Sequence, residues 1–203
     1  EFNPRANYEI NTAATSRLAA LCKAQGVRRY VIASSCSIYD RGVGDEEKDI
    51  LQDEASPVNP RTAYARSKYE AEQLLLGMAD DAFCPVILRK GTIYGFSPRM
   101  RLDLLVNDFT FRAVRDRSLV LYEAHFKRNY LHIEDAAAAF LHAIDHWDAM
   151  KGEPYNVGLD DANLSKRELA ERIKVHVPSL YIHEAAIGAD PDRRNYIVSN
   201  EKI

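Results

Sequence analysis

The chain of 203 residues lacks most of the features that mark a specialised class. Its three cysteines, Cys22, Cys36 and Cys84, are an odd, widely spaced set without a CxxC pair. Such a set builds neither a disulfide framework nor a structural zinc site, and it fits a reducing, cytoplasmic setting. Six histidines occur without an HExxH-like spacing, so no metal site is expected. No apolar run approaches the roughly 20 residues of a membrane span, and no basic-then-apolar start resembles a signal peptide. A formal net charge of −3 gives no reason to expect nucleic acid or an anionic membrane as partner. Internal repeats and low-complexity stretches are missing too. What remains is an ordinary globular mixture, 46% hydrophobic and 28% charged. That suffices for one compact domain or for a large piece of a bigger one.

Apolar spacing predicts helix and strand in alternation. Asn7 to Gln25 carries Ile10, Ala13, Ala14, Leu18, Leu21 and Cys22 at helical spacing, with Gly26 as a stop. Tyr30 to Ala33 is an apolar run without alternation, as in a strand buried on both faces. Tyr39 to Arg61 is polar, holds Gly42, Gly44, Pro57 and Pro60, and reads as a loop. A helix follows from Thr62 to Met78, then a strand over Cys84 to Arg89, a turn-rich loop from Gly91 to Arg101 and a helix from Leu102 to Arg115. Leu119 to Tyr122 and Asn129 to Leu131 are short extended pieces. Glu134 to Trp147, with four consecutive alanines, is a close-packing helix, and Pro154 to Gly158 is a strand and stop. Ser165 and Glu168, three residues apart, form a capping box for the next helix. Leu180 to Ile182 and Tyr196 to Val198 add short strands. This alternation predicts an α/β fold around a parallel sheet. The chain starts in a helix and ends in a strand-like segment, as a piece cut at both ends would.

Tyr64 and Lys68 stand four residues apart on one predicted helix and share a face. A free phenol titrates near 10, too high for a base at neutral pH. A neighbouring ammonium favours the phenolate and lowers that value. A tyrosine so placed would suit taking or giving a proton at a sugar or alcohol hydroxyl while hydride moves to or from a nicotinamide ring. Ser35 lies just past a buried strand, where parallel sheets put their sites, and its hydroxyl suits holding the same substrate oxygen. A lone YxxxK on a surface helix is otherwise a solvated pair, and a serine run also simply caps a strand.

Several segments carry a resemblance. Val27 to Tyr39, with Ser34-Ser35-Cys36-Ser37-Ile38-Tyr39 at its end, resembles the "GVxRxVxxSSxxVYG" segment of extended short-chain dehydrogenases/reductases, in their NAD-dependent nucleotide-sugar epimerase/dehydratase branch. Pro60 to Lys68, with Glu70 and Glu72, resembles "PxxxYxxSKxxxE". Leu88 to Gly95 resembles "LRxxxVYG", Arg128 to Asp135 resembles "RDYIHVxD", and Tyr155 to Gly158 resembles "YNVG". The matches follow in order along nearly the whole chain.

The resemblance implies a Rossmann-like parallel sheet lacking its N-terminal βαβ units, with a small C-terminal α/β substrate-binding part. Residues 1–95 would be the C-terminal half of the dinucleotide-binding domain, and 96–203 mostly the substrate-binding region, with the helix at 134–149 returning to the Rossmann core. Ser35, Tyr64 and Lys68 match the catalytic positions, Lys68 also holding the nicotinamide ribose. Ser34, Lys90, Gly91 and Thr92 would lie beside the cofactor. Ser35, Cys36, Ser37 and Arg128 would meet the substrate, Arg128 at its diphosphate. Asn11 matches an asparagine behind the site, with a structural bond to a helix backbone as its alternative, and His132 reads as a structural histidine. The Gly-rich pyrophosphate-binding turn would lie before residue 1. Cys36 and Ser37 stand where sugar 4,6-dehydratases carry Asp-Glu, which favours epimerisation or simple oxidoreduction over dehydration. The implied cofactor is NAD, with NADP left open, and the implied substrate a nucleotide sugar. A reductase of a non-sugar carbonyl and a catalytically inactive fragment are the alternatives. The helices at 7–25 and 62–78 would pair with their copies in a homodimer.

Overall fold

The computed structural model describes residues 3–40, 50–189 and 194–203. Gly42 and Gly44 of the expected loop lie outside the described residues. The elements in chain order are α1 (Pro4–Asn7), a π-helical stretch (Tyr8–Ala14), α2 (Thr15–Ala24), β1 (Arg29–Ser35), a 3-10 turn (Cys36–Tyr39), β2 (Leu51–Gln52), α3 (Ala63–Gly77), β3 (Cys84–Lys90) and β4 (Thr92–Tyr94). There follow α4 (Leu105–Asp116), β5 (Ser118–Leu121), β6 (Lys127–His132), α5 (Ile133–Asp145), α6 (Trp147–Met150), β7 (Pro154–Val157), β8 (Asn163–Ser165), α7 (Lys166–His176), β9 (Tyr181–Glu184) and β10 (Ile197–Val198).

The first helix begins earlier than its apolar spacing predicts. Asn3 caps it by accepting the Ala6 N–H at 3.0 Å, and Pro4 sits in the first turn, where its missing N–H costs nothing. Gly26, at φ +74°, ends it: Gly26 N–H donates to Lys23 O at 3.0 Å and Val27 N–H to Cys22 O at 2.9 Å. These are the paired bonds of a Schellman stop, which needs the left-handed backbone that glycine adopts freely.

β1, β3 and β7 form a parallel sheet in the order β1-β3-β7, so the C-terminal ends of all three strands lie along one edge. Its two faces are covered by different helices. Ile32 and Ile87 pack with Ala71 and Leu75 of α3 and Ala19 of α2. Val86 and Leu88 pack with Ala136 and Ala143 of α5, whose small alanines let the helix approach closely. A third core gathers α4, α7, β5 and the loops around them, with Phe109, Leu119, Leu121 and Ile173 at its centre.

The structure departs from the expected pattern at β2, which falls inside the 39–61 segment that reads as a loop, at β4, and over 134–149. Thr92–Tyr94 forms β4, parallel to β6, inside what reads as a loop; three residues between Gly91 and Gly95 are too few to show a strand period. The expected helix over 134–149 is two, α5 and α6, meeting at His146 with φ −103° and ψ 27°. The capping box at Ser165 is present, with Glu168 N–H on Ser165 Oγ at 3.1 Å and Ser165 N–H on Glu168 Oε2 at 2.7 Å.

The joint between β6 and β7 explains one glycine. Asn129 is fully buried and donates its amide to Leu159 O at 2.8 Å and to Asn163 Oδ1 at 3.1 Å. Its own Oδ1 rests on Gly158, where an added Cβ would stand 1.6 Å away. Gly158→Ala should therefore lower unfolding stability by at least about 2 kcal/mol, read from urea denaturation; an unchanged midpoint would contradict this packing.

Candidate active site

At the C-terminal end of β1 the chain turns sharply into the 3-10 turn, and Ser35 is its cap. The Ser37 N–H donates to Ser35 Oγ at 3.2 Å, and the Ser37 hydroxyl lies 3.0 Å from the same atom. α3 runs past this point because Thr62 caps it, accepting the Ala65 N–H at 3.0 Å. Three residues of α3, each one turn after the last, then meet three successive residues of β1. Tyr64 shares a hydrogen bond with the Ser35 side chain. The Lys68 ammonium donates to Ala33 O at 3.0 Å and stands 6.0 Å from the Tyr64 ring centre. Glu72 accepts from the Ser34 hydroxyl. Ser35, Tyr64 and Lys68 are thus brought together.

The charges around Tyr64 differ from the simple expectation. Burial holds its phenol above the ordinary tyrosine value; the Ser35 hydrogen bond and then the charges of Arg194 and Arg101 pull it back down. Lys68 is expected to be the main lowering influence, yet Ser35 and the two arginines come first. The Lys68 ammonium is itself disfavoured by burial, with the Glu72 carboxylate opposing that. Arg101 and Arg194 come from loops without periodicity, which is why motif reading passes over them.

Beneath the site lies a buried polar network. Arg89 and Glu72, exposed by 4% and 0%, pair at 2.8 Å through Nη2 and Oε2, with Nε bonding both carboxylate oxygens. Arg89 Nη1 donates to the Tyr39 hydroxyl at 2.7 Å, and that hydroxyl donates to Asn156 Oδ1 at 3.0 Å. The Asn156 N–H reaches Glu54 Oε1 at 2.6 Å. The sequence signal for this network was a charged residue inside an apolar strand, which demands a partner.

Several expected site residues point elsewhere. Ser34 is buried and turned to Glu72. Cys36 is fully buried, its thiol directed at Arg89 O at 2.9 Å and pushed far up by burial. Ser37 is buried and reaches the site through Ser35. Gly91 serves packing: its N–H bonds Val157 O at 2.9 Å, and a Cβ there would stand 2.8 Å from Asn129 Oδ1. Thr92 shares a hydrogen bond with buried Tyr196, which also feels the charge of Arg128. Arg128 itself is 3% exposed. Asn11 donates to Ser67 Oγ at 3.1 Å, and Ser67 Oγ donates to Tyr64 O at 2.8 Å, so it braces α3 through a side chain; Thr12 takes the Ser67 backbone carbonyl at 2.9 Å. His132 caps α5 through Nδ1, accepting the Glu134 N–H at 3.4 Å. Among the described residues no group of three or more metal-ligating side chains occurs, and no helix is long and apolar enough to cross a membrane.

A parallel sheet with a serine, a tyrosine and a lysine at its C-terminal edge defines a short-chain dehydrogenase-like α/β class. The NAD dependent epimerase/dehydratase family profile matches residues 2–158, and the chain belongs to that family. It is 30% identical over 151 residues to the trifunctional UDP-glucose 4,6-dehydratase/UDP-4-keto-6-deoxy-D-glucose 3,5-epimerase/UDP-4-keto-L-rhamnose-reductase of Arabidopsis thaliana, covering 73% of this chain and 22% of that protein. Among solved structures it is similar to a Streptomyces venezuelae dTDP-glucose 4,6-dehydratase with NAD bound, at TM-score 0.79 and 22% identity, over 98% of this chain and 60% of that one. It is also similar to a Thermus thermophilus UDP-glucose 4-epimerase in complex with NAD, at TM-score 0.78 and 24% identity, over 98% and 64%. The chain therefore spans about a fifth of the first relative and some three fifths of the two structures.

Lys90 ends β3 beside Ser35 in register, with its ammonium 5.3 Å from the Phe140 ring centre. Burial and the nearby Lys68 charge lower its pKa to about 8. The folded value lies below the unfolded one, so the unfolded chain holds more protons between about pH 8 and pH 10, and stability rises with pH in that window. Lys90→Met should raise the melting temperature at pH 7, by about 1–2 kcal/mol of stability, and flatten that rise. Melting curves across the window check both.

Proposed function

We propose that this protein is an NAD(P)-dependent epimerase or oxidoreductase of a nucleotide-linked sugar. One observation carries the reading: Tyr64, whose phenol interacts with the Ser35 side chain, stands one helical turn before the half-buried Lys68 ammonium, at the C-terminal edge of a parallel sheet. The residues fit a nicotinamide dinucleotide, because Lys68 offers further ammonium protons beyond the one given to Ala33 O. When bound, the dinucleotide supplies a hydride acceptor and donor.

The chain's own residues do the rest. Ser35, its Oγ already fixed by the Ser37 N–H, holds the reacting hydroxyl of the sugar. Tyr64 exchanges the proton of that hydroxyl at Oη, from a position that burial and the Ser35 bond define. Lys68 keeps positive charge near the phenol and binds ribose oxygens. Arg101, exposed and paired with Asp103 at 2.6 Å, and Arg194 place positive charge toward Tyr64, which suits a diphosphate-bearing substrate better than a neutral ketone. Arg128, itself buried, acts by its positive charge on Tyr196.

Dehydration is the reading that the names of the Arabidopsis and Streptomyces proteins suggest. Positions 36 and 37 argue against it here. The Cys36 thiol is raised by burial and directed at a backbone carbonyl, and Ser37 offers only a hydroxyl, so neither serves as a carboxylate acid or base.

The protein is also proposed to be a homodimer. Ile10, Leu18 and Leu21 of the first helix and Leu74 of α3 are exposed apolar side chains on the two helices that would pair. Sedimentation at micromolar concentration should give twice the chain mass; a monomer mass would remove the dimer.

Tyr64→Phe keeps the ring and its packing and removes the proton carrier. Supplied with NAD and UDP- or dTDP-hexoses, the unmodified protein should interconvert or oxidise one of them, and the Phe variant should lose at least about a hundredfold in kcat. Activity that survives the change would place the acid/base elsewhere.

A further inference from the structure

We infer that Glu72 is a positioning residue for the site: bound to Ser34 and Arg89, it holds the Ser34–Ser35 end of β1 and keeps a negative charge one helical turn from Lys68, in the arrangement that proton transfer at Tyr64 requires. The inference rests on the reading of Tyr64 and Lys68 proposed above, but its test does not depend on turnover.

Geometry is the basis. Tyr64, Lys68 and Glu72 follow one another at one-turn intervals on α3, and each reaches β1: Tyr64 at Ser35, Lys68 at Ala33, Glu72 at Ser34. Glu72 is wholly buried, yet its carboxylate serves both sides of that seam. It fixes the Ser34 hydroxyl next to the catalytic-position serine, and it binds Arg89 of β3 through Nε and Nη2. The register pairs Ser34 with Arg89 and Ser35 with Lys90, so one carboxylate ties the ends of both strands to the helix. A carboxylate one turn beyond Lys68 also opposes the loss of the ammonium charge that burial favours.

The ionisable groups around this seam are few. Lys68 faces Tyr64 and Glu72 on its own helix and Lys90 on β3. Glu72 faces Arg89 on β3 and Cys36 in the 3-10 turn, and Glu54 acts on Cys36 and Tyr39 from the segment before α3. Of these, Glu72 is the negative charge that acts on Lys68.

Two variants separate positioning from mere support. Arg89→Gln removes the ion pair but leaves the carboxylate beside Lys68. The double change Glu72→Gln with Arg89→Gln removes both charges and leaves no uncompensated buried ion. The Lys68 side chain is followed by NMR of lysine labelled with carbon-13 at Cε, assigned with Lys68→Arg. In the double variant Lys68 should lose its proton at a lower pH than in the unmodified protein. In Arg89→Gln it should hold its proton at least as firmly as before. Should the double variant not fold, Glu72→Asp, which draws the charge back by one methylene, must shift Lys68 in the same direction by less. Identical Lys68 titration in all these proteins would overturn the inference and leave Glu72 a structural ion-pair partner. Absence of enzymatic activity would count against the proposed function and leave this result standing.

Discussion

The seam between α3 and the end of β1 is the constraint on which the site depends. A helix face presents residues every turn, and a strand end presents them at every step; only a fixed helix placement lets Tyr64, Lys68 and Glu72 find Ser35, Ala33 and Ser34 together. The buried Glu72–Arg89 pair locks that placement from below. Two buried charges cost several kcal/mol to dehydrate, and the surrounding hydroxyl and amide groups compensate them: Ser34 on Glu72, then Tyr39 and Asn156 beyond Arg89. The network runs through β1, β3 and β7 at the edge where parallel sheets carry their chemistry, so stability and site geometry come from the same atoms.

The first helix contributes from the far side. Its π-helical stretch contains both Asn11 and Thr12, which reach Ser67 at its hydroxyl and its carbonyl. Ser67 in turn bonds the Tyr64 carbonyl. A widened turn of this kind commonly marks a functional segment, and here it ties the first helix to α3 at Ser67. Tyr64 is thereby held by its backbone through Ser67 and by its hydroxyl through Ser35.

Much of this is legible in the sequence because it rests on long periodic segments. The stripe Ala71, Leu75 and the run Val86-Ile87-Leu88 identify α3 and β3, and the YxxxK spacing places Tyr64 and Lys68 on one face. Side-chain direction is where motif reading goes astray. Ser34 and Ser35 are equivalent as letters, but the two-residue period of a strand sends Ser34 to the side of Ile32, against α3 and Glu72. Cys36 turns inward because it opens a 3-10 turn capped by Ser35. β4 escapes notice because three residues between glycines show no period, and Arg101 and Arg194 because loop positions converge only in three dimensions. The role of Gly158 also needs the structure, since only the Asn129 amide shows why no Cβ fits there.

The central claim is that a hydroxyl-bearing carbon of a nucleotide sugar gives up hydride while Tyr64 takes the hydroxyl proton. It is tested most directly by a nucleotide sugar deuterated at that carbon, turned over with NAD, with the products and the dinucleotide analysed by mass spectrometry and NMR. The account predicts that the deuterium stays on the product carbon or appears on the dinucleotide, without exchange into water. Deuterium released to solvent would mean that the bond breaks as a proton, and the hydride reading would be wrong.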